Sequence, residues 1–245
     1  MVRALDHVSI EGREGEFLSI LGPSGCGKST LLMIAAGLLA PSGGSVSIEG
    51  QIVDGPRTDI GIVFQSPVLL EWRTAFANVM LQAEARRMDR NLASRRAREL
   101  LASVGLAGFE DKYPHELSGG MRQRVSICRA LIHAPEYLLM DEPFGALDQL
   151  TRDQLVLDLQ ALWNARRMSV LFITHSIAEA VFLSDRVIVM TPRPGRIDRI
   201  IDIGLPRPRT LALRETPEFA ALNRQILDLF LARGVLQERA LSALA

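Results

Sequence analysis

Cysteine, aromatic residues, net charge and long apolar runs are all scarce in this sequence, and each scarcity closes off a class of protein. Only Cys26 and Cys128 occur among 245 residues. They lie far apart with no second pair, so neither a disulfide framework nor a Cys-based zinc site can be built, and a reducing compartment fits. Phe, Trp and Tyr together make up 5%, too little for a protein that stacks successive bases of a single strand. The 28 Lys+Arg balance 28 Asp+Glu to a formal charge of zero, which excludes a basic nucleic-acid coat, and no nucleic-acid partner is expected. The longest apolar run, Leu31 to Ala40, is about half of the ~20 residues that cross a bilayer, and the opening MVRALDHVSIEG carries no signal-peptide pattern. The chain is therefore not expected to span a membrane unaided. What is plentiful is apolar side chain, 48% of the residues, enough to bury a real core. A neutral surface can still dock on another protein through a small apolar patch, which composition does not reveal.

The punctuation falls where strands and helices change over. EFLSIL (16–21) reads as a buried strand, followed by the Gly-rich GPSGCGKST and a helix over LLMIAAGLLA that Pro41, Gly43 and Gly44 stop. SVSIEG alternates at period two, and DIGIVFQ (59–65) is a second, mostly buried strand. From Ser66 to Leu117 the pattern turns helical, with apolar spacing of three and four in TAFANVMLQAEARR and LASRRARELLASVGL. After LSGGMRQR a helix runs to His133. YLLM is a short buried strand ending at Asp141, TRDQLVLDLQALWNARR an amphipathic helix, and SVLFIT a strand leading to His175. Strands alternating with helices imply a parallel sheet covered by helices, whose ligands sit at the carboxyl ends of the strands. The loops after Leu21, Phe64, Met140 and Thr174 are expected to converge there.

Those loops carry chemistry. Gly22-Pro23-Ser24-Gly25-Cys26-Gly27-Lys28-Ser29 fits G-x-x-x-x-G-K-[ST] between a strand and a helix, with Thr30 following. Its glycines let backbone N–H groups close around phosphate oxygens, Lys28 reaches the outer phosphates, and the Ser29 hydroxyl can bind Mg²⁺. Cys26 reads as a small filler in that loop. YLLMDEP delivers Asp141 to a Mg²⁺ shell and Glu142 to orient and deprotonate an attacking water. Gln65 can offer its amide oxygen to the metal or a water, and His175 can hold a γ-phosphate or the lytic water. His7, His115 and His133 read as structural or surface residues. LSGGMRQRV (117–125) is a second anion site, with Ser118 capping a helix and Gly119 and Gly120 baring backbone N–H groups, but no lysine of its own. Two phosphate sites in one chain make sense if the second serves the nucleotide of another copy.

In this order, GPSGCGKST, VFQ, LSGGMRQRV, LLMDEP, GALD and ITH resemble the Walker A, Q-loop, signature, Walker B, D-loop and switch-His motifs of ATP-binding cassette (ABC) ATPases, over residues 1 to about 205. The resemblance implies an α/β fold: a P-loop NTPase, RecA-like core with a mostly parallel sheet, a small antiparallel β part and an inserted helical subdomain. It implies a nucleotide-binding core over 1–65 and 134–205, a helical subdomain with the signature over 66–133, and a helical tail over 206–245. It also implies a head-to-tail homodimer holding two ATP with Mg²⁺, the Ser118–Gly120 region of one copy facing the nucleotide on the other's Lys28. LLEWRTAFANV, TPRPGRI (191–197) and LPRPR (205–209) are similar to ATPases of nitrate, sulfonate and taurine importers. By that likeness Leu69, Leu70 and Trp72 would meet one of two transmembrane permease subunits at the cytoplasmic face of the inner membrane, and a solute-binding protein would act indirectly. Glu71 stands where proline is common in that group. The core motifs alone also suit an exporter ATPase, or a soluble ABC ATPase of DNA repair or translation.

One departure concerns the base. Family members carry an aromatic upstream of the phosphate loop that stacks on adenine, whereas the first aromatic here is Phe17, inside a buried strand. Two expectations follow: either the start is truncated or misassigned, or adenine is held without that stack, a contact worth ~1–3 kcal/mol, with ATP affinity weakened and the chemistry intact. In the tail, Phe219, Leu222, Ile226 and Leu229 form one stripe of an amphipathic helix expected to pack on the chain's own core.

Overall fold

The computed structural model describes residues 3–236. Its strands are β1 (Phe17–Leu21), β2 (Ser47–Ile48), β3 (Gln51–Ile52), β4 (Ile60–Val63), β5 (Tyr137–Asp141), β6 (Ser169–Thr174), β7 (Arg186–Met190) and β8 (Ile197–Asp202). Six of them form one sheet in the order β4-β5-β6-β1-β7-β8, parallel throughout except β8, which returns antiparallel to β7. β1 lies at the centre and is buried along its whole length. Its alternation sends Phe17 and Leu21 into one apolar layer and Leu18 and Ile20 into the other, the two-sided burial that a parallel sheet requires. Its one polar residue, Ser19, pairs its hydroxyl with that of Ser184. The mixed α/β fold with a mostly parallel sheet agrees with the sequence reading.

The helices are α1 (Lys28–Ala35), α2 (Ala75–Ala85), α3 (Arg90–Ser103), α4 (Gly119–Leu131), α5 (Gln149–Arg166), α6 (Ile177–Leu183) and α7 (Pro217–Ala232). α1 is shorter than the run LLMIAAGLLA suggests. Gly37 turns left-handed at φ +70°, and a Cβ there would stand 2.0 Å from the Gly55 carbonyl oxygen, so the chain leaves the helix before the apolar run is finished. β2 and β3 form a two-residue hairpin around Glu49 (φ 51°) and Gly50 (φ 76°), the small antiparallel part. The β7–β8 hairpin has no counterpart in the elements read from sequence.

Thr74 caps α2 and Asp89 caps α3. Ala75, Val79, Met80 and Ala83 share one core with Ala93, Ala97, Leu100 and Leu101 of α3 and Val125 and Ile127 of α4. α4 also packs against β4, so the helix that starts at the signature is anchored on the sheet. In the tail, Phe219 and Ile226 are buried, Leu222 and Leu229 pack on the core from partly buried positions, and Phe230 joins them. Residues 237–245 of the expected tail lie outside the described residues. Arg209 fastens the segment before α7: its buried guanidinium donates to the carbonyls of Val181, Phe182, Ser184, Ile203 and Leu205. Burial, and then the charge of Arg207, pushes its pKa down to about 10.

Candidate active site at the carboxyl edge of the sheet

The four loops named from sequence meet on one edge. After β1 the chain turns through Gly25 (φ 75°) into Gly27 (φ 101°), the residue that caps α1 without a side-chain bond. Gly27 cannot be replaced quietly, since a Cβ would stand 2.8 Å from Leu5 Cδ2 and 2.9 Å from the Ala4 oxygen. Lys28 is the first residue of α1 and 5% exposed. Its ammonium donates to the carbonyls of Gly22 at 2.8 Å and Pro23 at 3.1 Å and lies 3.5 Å from Glu142 Oε1. Cys26 is buried, and burial pushes its thiol up, consistent with a filler rather than a reactive thiolate.

β5 ends at Asp141, and Glu142 follows at φ 43°, a left-handed conformation that a non-glycine residue holds only when its surroundings fix it. The Glu142 N–H donates to the Ile173 carbonyl at 2.9 Å. Its carboxylate lies between two partners: Oε1 faces Lys28, and Oε2 lies 3.1 Å from Nδ1 of His175, a half-exposed ring just beyond β6. Gln65, beyond β4, lines the same cleft of about 360 Å³ as Ser24, Gly25, Gly27, Lys28, Ser29, Thr30 and Glu142. The structure thus brings Lys28, Ser29, Gln65, Asp141, Glu142 and His175 together. Sequence reasoning missed two further lining residues, Ala4 and Arg193. Arg193 comes from the turn between β7 and β8, and its only sequence signal was the segment TPRPGRI. Phe17 lies in the core against Trp163 and Phe172, away from this cleft.

Among the described residues no group of three His, Cys, Asp or Glu could hold a metal by itself. The donors that could serve an ion here are the Ser29 hydroxyl and Gln65 amide of the cleft and the Asp141 carboxylate beside Ser29. Asp141 Oδ1 is buried with no hydrogen-bond partner. Burial pushes this carboxyl up, with Glu142 adding to the rise and Ser29 and Lys28 opposing it. An orphaned, desolvated oxygen beside a serine hydroxyl fits Mg²⁺, which takes few protein ligands and completes its shell with phosphate and water.

The signature turn lies apart from this cleft. Ser118 caps α4, its Oγ accepting from the Met121 N–H at 3.2 Å. Ser118 and Gly119 are exposed and Gly120 is buried. The loop before α2 is held from beneath by buried Asn78, which accepts from the Leu70 N–H and donates to the carbonyls of Leu70, Arg73 and Thr74. Arg129 donates to the carbonyls of Pro67 and Val68. On this rigid loop Trp72 is 75% exposed, while Leu69 and Leu70 are partly buried.

A mostly parallel sheet with a phosphate turn after its central strand β1, a lysine buried in that turn and paired carboxylates at the end of β5, with β6 between the two strands, define a P-loop nucleotide hydrolase. The ABC transporter domain matches residues 5–145, and the chain belongs to that family as an ATPase cassette. It is 49% identical to an uncharacterised ABC transporter ATP-binding protein of Methanocaldococcus jannaschii, over 93% of this chain and 84% of that one. It is 46% identical to a taurine import ATP-binding protein of Rhizobium johnstonii, over 92% and 88%. Among solved structures, a dimeric post-hydrolysis state of the ATP-binding cassette MJ0796 bound to ADP and Pi superposes with a TM-score of 0.72 at 35% identity, covering 82% of this chain and 90% of that one. No helix among the described residues is long and apolar enough to cross a membrane.

Proposed function

We propose that this cassette is the energy-coupling subunit of an importer for a small solute such as nitrate, sulfonate or taurine, working as a homodimer that binds two MgATP at its interface. The supporting observation is the single cleft shared by Lys28, Ser29, Gln65 and Glu142, with His175 bonded to the same carboxylate. Backbone N–H groups of residues 24–29 cradle the phosphates, and the Lys28 ammonium exchanges its loop carbonyls for phosphate oxygens. When bound, Mg²⁺ would be held by Ser29, Gln65 and Asp141 and would supply charge neutralisation to the β- and γ-phosphates. Glu142 takes the proton of the attacking water, and His175, hydrogen-bonded to it, orients that carboxylate. Ser118, Gly119 and Gly120 of one copy complete the site on the other.

The partner reading rests on Trp72. A tryptophan left 75% exposed on a loop pinned by Asn78 and Arg129 is a rigid apolar anchor of the kind that dominates protein interfaces. It would dock, with Leu69 and Leu70, on a permease subunit at the cytoplasmic face of the inner membrane. The test is reconstitution with the cognate permease subunits in vesicles. Hydrolysis stimulated by a solute-loaded binding protein, and uncoupled by Trp72→Ala with ATP affinity unchanged, supports the reading; hydrolysis indifferent to the loaded binding protein contradicts it.

A further inference from the structure

The turn Gly145–Asp148, between Glu142 and α5, touches both anion-binding regions of the chain. A Cβ at Gly145 would lie 3.6 Å from His175 Cε1 and 3.9 Å from Gln65 Nε2. At its other end, a Cβ on Gly120 of the signature would lie 3.9 Å from Leu147 Cδ2 and 2.3 Å from Thr151 Cγ2. Arg152, in the first turn of α5, donates Nη2 to the Leu147 carbonyl at 2.8 Å. Its Nε has no hydrogen-bond partner and lies 3.6 Å from Oε1 of Glu179. Glu179, in the first turn of α6, is 6% exposed, and its Oε2 accepts from the Thr174 hydroxyl at 2.6 Å. That hydroxyl in turn accepts from the Ser176 N–H at 3.0 Å, so it clasps the turn on which His175 rides.

Burying a carboxylate in this way is costly unless charge and hydrogen bonds offset it. Burial pushes the Glu179 carboxyl up, and the Thr174 hydroxyl and the Arg152 charge oppose the rise. Arg214, whose charge also reaches the spot, is engaged by Asp153 at 2.6 Å. None of these groups lines the nucleotide cleft.

We propose that Arg152, Glu179 and Thr174 are positioning residues that lock the Gly145–Asp148 turn to the turn carrying His175, so that the signature side and the hydrolytic side of one chain are set together. The proposal rests on reading Glu142 and His175 as the hydrolytic groups. It needs no new ligand contact; it needs the chain from Leu147 through Arg152, Glu179 and Thr174 to stay closed.

Steady-state hydrolysis by the purified full chain tests it. Because a misplacement of about 1 Å can cost ~10²-fold in rate, Thr174→Val, Glu179→Ala and Arg152→Met are each expected to lower kcat by about ten- to a hundredfold with KM for ATP within about twofold. Thr174→Ser, which keeps the hydroxyl, is expected to stay near the parent rate. The Glu179→Ala/Arg152→Met double variant is expected to be no slower than the slower single, as for residues acting through one contact. His175→Ala separates the two layers. If it leaves kcat unchanged, the reading of the hydrolytic site fails. If it lowers kcat while the Thr174, Glu179 and Arg152 variants leave kcat alone, raise only KM, or multiply in the double variant, the lock is overturned and the site reading stands. Should Glu179→Ala not fold, the Thr174→Ser and Thr174→Val pair decides: equal rates overturn the proposal, and a slow Val beside a normal Ser supports it.

Discussion

The phosphate turn and the signature turn are both glycine-bearing helix starts, yet they deal with their backbone N–H groups in opposite ways. Gly27 caps α1 with no side-chain bond, and Lys28 lies buried within the turn on its own carbonyls. At the signature, Ser118 closes α4 with its own hydroxyl, and the nearby Arg122 guanidinium is folded back on the carbonyls of Leu117 and Pro114. One turn carries a cation for phosphate; the other is an exposed helix end with partial charge and no cation of its own. On the proposed reading each turn is half of a site: the lysine-bearing cradle of one copy is closed by the signature turn of another.

Substitutions in the two regions should separate accordingly, and the largest effect should fall on chemistry. Glu142→Gln is expected to slow turnover by at least ~10²-fold while ATP binding survives, read by steady-state hydrolysis beside direct nucleotide binding. Lys28→Ala should strike binding itself: losing hydrogen bonds to a charged group costs ~1.5–3 kcal/mol, about ten- to a hundredfold in ATP affinity by titration. At the other turn Ser118→Ala should leave the affinity of the single chain for ATP unchanged, lower turnover, and reduce unfolding free energy by about 1 kcal/mol through the lost cap. Equal losses of affinity from Lys28→Ala and Ser118→Ala would erase the distinction between the turns.

The smallest effect lies away from both. His133 has neither ring nitrogen hydrogen-bonded, and burial, then the Arg86 charge, pushes its pKa down from 6.5 to about 4. In that window the unfolded chain binds more protons than the folded one, so stability is lost as pH falls from 6.5 toward 4. His133→Leu should flatten that part of the dependence in chemical denaturation, while turnover at neutral pH is unaffected.

Most of the site could be read from the sequence because each of its parts is fixed by short-range chemistry. A glycine run after an apolar strand, or two acids at the end of another, has few other uses. Gln65, Glu142 and His175 were legible for the same reason: each follows a strand, and parallel strands end on one edge. What escaped depends on contacts between distant segments. Arg193 reaches the cleft only because β7 pairs in parallel with β1 and β8 turns back along β7, pairings no local pattern in TPRPGRI announces. The Arg152–Glu179 contact joins two helix starts, and each residue alone reads as a charged position on an amphipathic helix. The early end of α1 was hidden because Gly37 answers to Gly55, not to its neighbours in the apolar run.

Whether the signature turn of a second copy completes the phosphate cradle is decided by the mass of the Glu142→Gln chain in solution with and without MgATP, by light scattering. The expected result is a monomer without nucleotide, a dimer with it, and loss of that dimer when Gly119→Asp, at an exposed position with room for a side chain, is added although each chain still binds ATP. A chain that stays monomeric with ATP bound, or a dimer that survives Gly119→Asp, overturns the shared site.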